Sequence, residues 1–507
     1  MPGKNYDAIV VGSGATGGFA AKTLCESGLQ VLLLEAGPAH DESRFQNWSQ
    51  SGEASAFSRL LAGLRGQPVQ ARDLWFSTDK RFLFVNDLKN PYTLARDFYL
   101  WIRGRQVGGR FLSWGRVAIR MSDYDFKAAS RDGFGEDWPI TYADLVPYYE
   151  KVESFLGLVG TQENIVNMPD GLYAATAGLS MPEQRFKKTI ESTWPERKVV
   201  PWRYVNKEAT PVDPQTGKRL TAPILAAMRT GNLSLQPDSV VTRVNMEPAS
   251  GRAKGITYVD RLSGEEHEAS GNVVMLCAST IESIRLLLNS ACESHPQGVG
   301  NSSGLLGRYF MDHSPAILFG KATDSHGWEQ VDDNVAGENH GGVYIPRFQN
   351  LDSQTHPDFA RGFNIQGMIG RSVVDNDAPS MLGMMAQGEM LPYFENRVTL
   401  DARKKDAWGV PAACIDVAMT DNEQNMIRCQ VDSMREMVDA CGWSTDFAIS
   451  VHGIENPENL MPHANWLERS MFRRAYQKSI GLGAAIHECG GARMGADPYV
   501  HAPRGPH

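Results

Sequence analysis

The segment 6–37 restricts the fold more than any other part of the chain. Residues 8–11 are apolar and β-branched, as in a buried parallel strand, and residues 31–34 form a second such run that ends at Glu35. Three glycines in the spacing G-x-G-x-x-G follow the first run: Gly12, Gly14 and Gly17. Apolar residues then recur at helical spacing until Gly28. Strand, glycine turn, helix, strand and acid in this order predict a βαβ unit that binds a dinucleotide.

Each residue of this unit has a distinct predicted task. Gly12 allows a tight turn, Gly14 lets backbone N–H groups approach a pyrophosphate, and Gly17 lets the helix pack closely on the strand. The helix N-terminus supplies partial positive charge to the phosphates, and Glu35 can accept hydrogen bonds from ribose hydroxyls. The glycine triplet alone would also suit an ordinary tight βα turn; the complete order of elements favours nucleotide binding.

Length, composition and charge set wider bounds. A chain of 507 residues is too long for one ordinary core, so two or three domains are expected. The net charge of −9 argues against nucleic acid or an anionic membrane as the main partner. No run approaches the roughly eighteen consecutive apolar residues of a membrane-spanning helix, and the first thirty residues do not resemble a secretion signal.

The cysteines indicate a reducing compartment. Seven are present, an odd number, and none forms a CxxC pair. We expect reduced and mostly buried thiols, and therefore a cytoplasmic protein.

The middle of the chain predicts a return to the nucleotide-binding sheet. Residues 239–244 form a strand, a hairpin turns near residues 263–264, and a buried strand is expected at 273–276. Ser279 and Glu282 match a capping box at the start of a helix. Residues 41–100 lack periodicity and are interpreted as an excursion that covers the cofactor.

A further helix is predicted near residue 430, within a glycine-containing region of short strands. Five apolar residues recur there at spacings of four and three: Ile427, Val431, Met434, Val438 and Cys441. Such a stripe is typical of a core-facing helix, and we assign it to the core.

His487 is a candidate catalytic base. It is followed by Glu488, but position 491 is Gly, so the zinc-protease motif H-E-x-x-H is absent, and no G-x-S-x-G elbow accompanies it. A neutral imidazole can accept an alcohol proton. A structural role stays open from context alone. Four other histidines stand isolated without metal-ligand spacing: His313, His340, His452 and His463. A structural role is favoured for each, and an approach of any of them to the substrate is the alternative.

The chain resembles the glucose–methanol–choline (GMC) family of flavin oxidoreductases over nearly its whole length. The resemblance is carried by segment 6–37, by "VGGRFLSWGR" at 107–116, by "GNSSGLLGRYFMDH" at 300–313 and by "HECGGARMGADP" at 487–498. It implies an α/β protein, with an FAD-binding Rossmann-like domain and an interleaved α+β substrate domain built on a mostly antiparallel sheet. It also implies His487 as the proton acceptor. The implied FAD-binding residues are Gly12, Gly14, Thr16, Gly17, Glu35, Ala36, Val107, Gly108, Gly109, Trp114, Val241, Ala278 and Ser279.

The expected domain division follows from this resemblance. Residues 1–145, 226–316 and 475–507 are assigned to the FAD-binding domain, and residues 146–225 and 317–474 to the substrate domain. Ser113 stands before Trp114 where pyranose oxidases carry the histidine that attaches flavin covalently, so non-covalent FAD is implied. Gly491 replaces the Thr of the usual HxxGT.

The implied activity is removal of hydride from a CH–OH group, with a sugar or glycoside as the favoured substrate and a dehydrogenase favoured over an oxidase. The alternatives are a choline-like or simple alcohol dehydrogenase and a catalytically inactive flavin-binding fragment; an NAD-dependent enzyme is disfavoured. Quinone, cytochrome or O₂ would accept the electrons. Some bacterial relatives work with a small subunit that carries an export signal, so a periplasmic location is the alternative to the cytoplasm.

The C-terminal sequence raises the alternative of a fragment. In the family, a second catalytic His or Asn follows the HxxG segment, whereas the final residues here, "YVHAPRGPH", show no apolar periodicity. We expect that about the last seven residues do not belong to the fold, that the second catalytic residue lies beyond residue 507, and that this chain is poorly soluble, binds FAD weakly and is nearly inactive.

Overall fold

The computed structural model describes residues 5–45, 56–73, 76, 79–326, 340–371, 378–460, 465–467, 469–470 and 479–495. The strands are β1 (Asn5–Val11), β2 (Val31–Leu34), β3 (Thr93–Leu94), β4 (Leu158–Gly160), β5 (Ala175–Thr176), β6 (Val200–Pro201), β7 (Tyr204–Val205), β8 (Leu233–Gln236), β9 (Ser239–Met246), β10 (Ala253–Asp260), β11 (Glu266–Leu276), β12 (His313–His326), β13 (Val343–Ile345), β14 (Phe363–Ile369), β15 (Pro379–Glu389), β16 (Arg397–Lys405), β17 (Pro411–Asp416), β18 (Ser444–Ser450) and β19 (Gly453–Glu455). The helices are α1 (Ala15–Glu26), α2 (Ala56–Leu64), α3 (Asp123–Phe126), α4 (Ala128–Asp132), α5 (Tyr142–Leu156), α6 (Met181–Thr193), α7 (Ala222–Arg229), α8 (Thr280–Asn289), α9 (Asp421–Ala440) and α10 (Pro457–Leu460).

The first sheet has the strand order β8-β2-β1-β11-β10-β9. Strands β8, β2, β1 and β11 run parallel, and β10 and β9 extend the sheet as antiparallel neighbours. The helix α1 packs on β1 and β2, and residues 8–11 of β1 and all of β2 are apolar and buried. The predicted βαβ unit is confirmed, and the hairpin between β10 and β11 turns at Gly264 as predicted.

Two sequence-based expectations about β11 and α8 are wrong. Val273 is 52% exposed, so the run 273–276 is not a fully buried strand; Val273 shares a sheet face with Met275, and α1 packs over β1 and β2 on that face. Ser279 is the N-cap of α8, but its side chain makes no cap hydrogen bond. Glu282 does not complete a capping box because its carboxylate pairs with Arg105 and Arg285.

The second sheet is antiparallel and has the order β19-β18-β12-β15-β14-β13-β6. The predicted helix near residue 430 is α9, which covers one face of this sheet. Ile427, Val431, Met434 and Val438 lie in the core between helix and sheet, as expected, and Cys441 is the C-cap. The two sheets confirm the predicted fold class.

Other expectations have mixed outcomes. The seven cysteines are free, but Cys25 alone among them is buried, while Cys292 and Cys489 are exposed. His463 and the final residues from 496 onward lie outside the described residues. The domain boundaries stay a prediction. Among the described helices, none combines the length and the apolarity needed to span a bilayer.

Candidate active site

A cavity of about 660 Å³ lies where the carboxyl ends of β1, β2 and β11 meet. The chain leaves β1 towards β2 on one side, while β11 lies on the other, so the cavity sits at the point where the strand order reverses. Open parallel sheets bind nucleotides at such a point. Its walls come from segments far apart in the sequence, including 11–16, 101–105, 239–242, 277–279 and Val410.

The turn between β1 and α1 is shaped for an external group. Gly12 has φ +95°, and a Cβ atom there would lie 2.7 Å from the carbonyl oxygen of Cys277. Gly14, by contrast, faces space in which an added Cβ would meet no atom within 4 Å, although it lines the cavity. The first turn of α1 therefore presents its N–H groups to open space, where a phosphate would be stabilised.

Glu35 is held by two backbone N–H groups and one hydroxyl. Its Oε2 accepts hydrogen bonds from the Ser13 N–H (3.1 Å) and the Ser13 hydroxyl (2.6 Å), and its Oε1 accepts from the Gly37 N–H (3.0 Å). Burial raises the pKa of Glu35, and these hydrogen bonds oppose the rise. The Ser13 oxygen also accepts the N–H of Gly108 at 3.0 Å, which fastens the glycine-rich segment to the turn.

Charged side chains form a network on the opposite wall. Glu282 lies 3.5 Å from Arg105 and 3.1 Å from Arg285. Burial would raise the pKa of Glu282, but Arg285, Arg105 and Arg103 together lower it to about 2. The carboxylate is therefore ionised, and the guanidinium groups beside it supply positive charge to the cavity wall.

The structure places most of the implied cofactor-binding residues on this cavity. Those that line it are Gly12, Gly14, Thr16, Glu35, Ala36, Gly109, Trp114, Val241, Ala278 and Ser279. Gly17, Val107 and Gly108 do not line it: Gly17 and Val107 are buried behind the wall, and Gly108 acts through its N–H to Ser13. Sequence reasoning missed Ser13, Arg103 and Arg105, although they lie inside or beside the motifs that it used.

His487 lies beside a second histidine. Its ring packs edge-to-face on the ring of His313, with centroids 5.1 Å apart. Arg110 donates to the carbonyl oxygen of Ile486 (3.1 Å) and pairs with Glu488 (2.9 Å), so the glycine-rich segment also fastens the His487 segment. Although His487 is an exposed residue, partial burial of the ring, His313 and Arg110 lower the pKa of His487 to about 4.

Asp312 lies beneath the two histidines. This buried carboxylate accepts the backbone N–H of His313 (2.8 Å) and the backbone N–H of His487 (3.2 Å), both at Oδ1. The hydroxyl of buried Tyr99 donates to Oδ2 at 3.4 Å. Burial and the neighbouring Glu488 raise the pKa of Asp312 to about 7, against the effect of the two N–H donors.

The glycines around His487 serve the chain itself. An added Cβ at Gly490 would come 2.0 Å from the carbonyl oxygen of Tyr309. The segments 307–311 and 489–491 run side by side, with reciprocal N–H···O bonds of 3.0 Å between Met311 and Cys489. The close approach of these two segments leaves no room for a side chain at residue 490.

Polar side chains continue from His313 along one face of the second sheet. His313 is paired with Glu389 in the β12–β15 register, and two residues along β15, Gln387 faces Asn364 of β14. Alternate residues of a strand share a face, so these side chains point away from the core between sheet and α9. Asn364 Oδ1 is buried without a hydrogen-bond partner among the described residues.

The comparison with protein families decides the identity. The N-terminal model of the GMC oxidoreductases matches residues 6–315, and the C-terminal model matches residues 392–502. The chain belongs to the GMC oxidoreductase family. The C-terminal match extends past residue 498, and nothing in these matches supports the alternative of an inactive flavin-binding fragment.

Curated GMC relatives resemble the chain along most of its length. 2-Methyl-1,2-propanediol dehydrogenase of Mycolicibacterium austroafricanum is 25% identical over 86% of this chain and 81% of that protein. The fructose dehydrogenase large subunit of Gluconobacter japonicus is 26% identical over 80% of this chain and 78% of that protein. The gluconate 2-dehydrogenase flavoprotein of Pantoea cypripedii is 23% identical over 98% of this chain and 86% of that protein.

Solved structures share the fold at lower identity. Pyridoxine 4-oxidase from Mesorbium loti aligns with a TM-score of 0.56 and 18% identity, over 97% of this chain and 90% of that chain. A formate oxidase from Aspergillus oryzae aligns with a TM-score of 0.59 and 15% identity, over 98% of this chain and 90% of that chain.

The cofactor of this GMC oxidoreductase is FAD, held non-covalently. The cavity fits it: the open space before Gly14 and the N-terminus of α1 suit a pyrophosphate, and Glu35 lines the wall as a hydrogen-bond acceptor. Ser113, the residue before Trp114, has no nucleophilic imidazole for a flavin bond. The enzyme acts on CH–OH groups of sugars or alcohols, and FAD supplies the hydride acceptor.

Proposed function

We propose that this GMC oxidoreductase dehydrogenates a secondary alcohol of a sugar or glycoside, with His487 as the proton acceptor. The observation that carries the proposal is the neutral, exposed imidazole of His487, anchored through its backbone N–H by Asp312. A proton must leave the hydroxyl as the hydride departs from carbon, and an unprotonated imidazole within reach can take it.

The state of His487 favours this role. Its pKa of about 4 keeps the ring unprotonated at neutral pH, so that it is ready to accept a proton. Among the described residues, neither ring nitrogen has a hydrogen-bond partner, which leaves both free for a substrate hydroxyl. Each proton accepted would then have to pass to solvent, to which His487 is exposed.

The polar face of the second sheet supports a substrate rich in hydroxyl groups. Glu389, Gln387 and Asn364 follow His313 in register, and the buried oxygen of Asn364 lacks a partner. Polar side chains on one face can form hydrogen bonds with a ligand that donates several of them. Sugar hydroxyls are such donors.

The names of the relatives support the same substrate class, which includes sugars, sugar acids and simple alcohols. Fructose and gluconate dehydrogenases favour sugars and sugar acids, whereas 2-methyl-1,2-propanediol dehydrogenase favours a simple alcohol as the second candidate. We propose a dehydrogenase that passes electrons to a quinone or cytochrome, and a small subunit as a partner, because one relative is named as a large subunit. The cytoplasmic location stays a prediction.

The test is anaerobic reduction of the flavin in the purified holoenzyme. Glucose or a methyl glucoside should bleach the flavin absorbance faster than choline or a simple mono-alcohol does. His487→Ala should keep FAD but slow reduction by about a hundred-fold or more, the usual contribution of a positioned base. The control is His452→Ala, which removes an exposed histidine whose Nε2 contacts the Gln424 carbonyl at 3.2 Å. Reduction of the His487→Ala flavin at the normal rate would refute the proposed base.

A further inference from the structure

The backbone brings His313 and His487 to one place and fixes them there. Met311 and Cys489 exchange two N–H···O bonds of 3.0 Å, and Asp312 Oδ1 accepts the N–H groups of both histidines. The backbone hydrogen bonds therefore hold the two histidines next to each other, although they are 174 positions apart in the sequence. Their rings meet edge-to-face with centroids 5.1 Å apart.

The hydrogen bond of His313 fixes its tautomer. Nδ1 lies 3.1 Å from the carbonyl oxygen of Gly388, which can only accept, so the proton of the neutral ring is on Nδ1. Nε2 then carries a lone pair. Among the described residues it has no hydrogen-bond partner, and His313 is half-buried.

Acceptor nitrogens on two adjacent imidazole rings suit a substrate with hydroxyl groups on two neighbouring carbons. His487 would take the proton of the reacting hydroxyl, and Nε2 of His313 lies on the adjacent ring. A hydroxyl on the neighbouring carbon is the group that comes within reach of that nitrogen. Glu389, opposite His313 in the β12–β15 register, bonds to Arg347 at 2.5 Å and so is already engaged.

We propose that His313 is a specificity-determining residue of the active site: its Nε2 accepts a hydrogen bond from the hydroxyl adjacent to the reacting one, so the enzyme selects vicinal diols. The inference rests on the proposed function, because it needs a substrate hydroxyl at His487. It goes further by naming the feature of the substrate that is recognised and the atom that recognises it.

Two substitutions separate the two ring nitrogens of His313. In His313→Asn, the amide N–H can still donate to the Gly388 carbonyl, but nothing replaces Nε2. In His313→Gln, the amide reaches the position of Nε2, and the bond to Gly388 is lost. FAD content and thermal unfolding show whether each variant is folded.

The experiment measures anaerobic flavin reduction in the holoenzyme with two sets of probes. One set is propane-1,2-diol against propan-2-ol; the other is D-glucose against its 2-, 3- and 4-deoxy analogues. For the wild type we expect kcat/KM to fall about tenfold when the adjacent hydroxyl is absent, the effect of one neutral hydrogen bond. His313→Asn should bring this ratio close to one, mainly by raising KM for the substrate that carries the adjacent hydroxyl, and His313→Gln should keep part of the ratio.

The outcomes distinguish this inference from the proposed function. If no alcohol reduces the wild-type flavin, the proposed function fails and this inference fails with it. If alcohols reduce it but His313→Asn slows diols and mono-alcohols equally, His313 acts only through His487, and diol recognition is overturned. An unchanged ratio in a folded His313→Asn variant overturns it as well.

Discussion

At the scale of single residues, the proposed reaction centre joins two groups whose pKa values move in opposite directions. Burial lowers the pKa of His487 to about 4 and raises the pKa of Asp312 to about 7. Both shifts favour the uncharged form, as expected where water is partly removed. His487 is thus a neutral imidazole whose backbone N–H is anchored by a carboxyl group with a pKa of about 7.

The pKa of His487 predicts the acidic limb of the pH profile. An ordinary histidine would lose its base function below about pH 6.5, whereas His487 should keep it until pH approaches 4. Stopped-flow flavin reduction, measured between about pH 4.5 and 8, should therefore show no loss centred on 6.5. Arg110→Met removes a positive charge that lowers this pKa, so the limb should move to higher pH. A wild-type inflection near 6.5 that disappears in His487→Ala would contradict the expectation.

The raised pKa of Asp312 predicts that the free energy of unfolding decreases as pH rises. Its pKa is raised from 3.8 when unfolded to about 7 when folded, so the folded chain binds more protons between these values. Its contribution to the free energy of unfolding is complete below about pH 3.8 and is lost as pH rises through 7. Asp312→Asn keeps an oxygen that accepts both N–H groups but does not titrate in this range. Denaturant unfolding should show a smaller loss of stability between pH 5 and 8 in this variant; an unchanged slope would exclude Asp312 as its source.

At the scale of elements, sequence reasoning succeeded where contacts are local in sequence. The β1–α1–β2 unit, its glycines and Glu35 follow from spacing and periodicity, because each element specifies the next. The helix α9 follows from its apolar stripe in the same way. The pairing of His313 with His487 could not be predicted, because it depends on strand register and on a bridge between segments 174 positions apart. The one available signal was "MDH", quoted for its resemblance but not assigned a site role.

The start of α8 shows how tertiary contacts override a local signal. Ser279 and Glu282 have the spacing of a capping box, yet Glu282 turns to Arg105 and Arg285. Where guanidinium groups are within reach, an ion pair stabilises a carboxylate more than a hydrogen bond from one additional backbone N–H does. Helix α8 therefore lacks a side-chain cap, and Glu282 instead forms part of the charged wall of the cavity.

This network predicts the effect of neutralising Glu282. Glu282→Gln leaves the buried Arg285 and Arg103 with less negative charge beside them, so the free energy of unfolding should fall by about 2 kcal/mol. Because the pKa of Glu282 is lowered to about 2, the wild-type contribution is present above about pH 4.5 and is lost as pH falls through 2. The control is Glu26→Gln, which removes an exposed pair with Lys22 and should cost less than about 0.5 kcal/mol. Equal losses in urea unfolding at pH 7 would contradict the network.

At the scale of the whole molecule, the FAD cavity joins parts of the chain that are far apart. Its wall contains Gly14, Arg110, Val241, Ser279 and Val410. A ligand that contacts all of these segments binds the folded state and has no counterpart site in the unfolded chain. FAD bound in this cavity should therefore stabilise the entire fold, by about 2.7 kcal/mol at a free concentration of a hundred times its Kd.

Substitutions at two glycines of the same turn distinguish an effect on FAD binding from an effect on folding. A side chain at Gly14 would enter open space, so Gly14→Val should fold, apart from about 1 kcal/mol lost at the N-terminus of α1, but should block the pyrophosphate. A side chain at Gly12 would collide with the backbone at Cys277 and occupy a residue with φ +95°, so Gly12→Val should destabilise the protein with or without FAD. Thermal unfolding with and without added FAD measures both effects. The expected result is an apo melting temperature close to the wild type and no rise with FAD for Gly14→Val, and a lowered apo melting temperature for Gly12→Val. A normal rise with FAD in Gly14→Val would place the pyrophosphate elsewhere in the cavity.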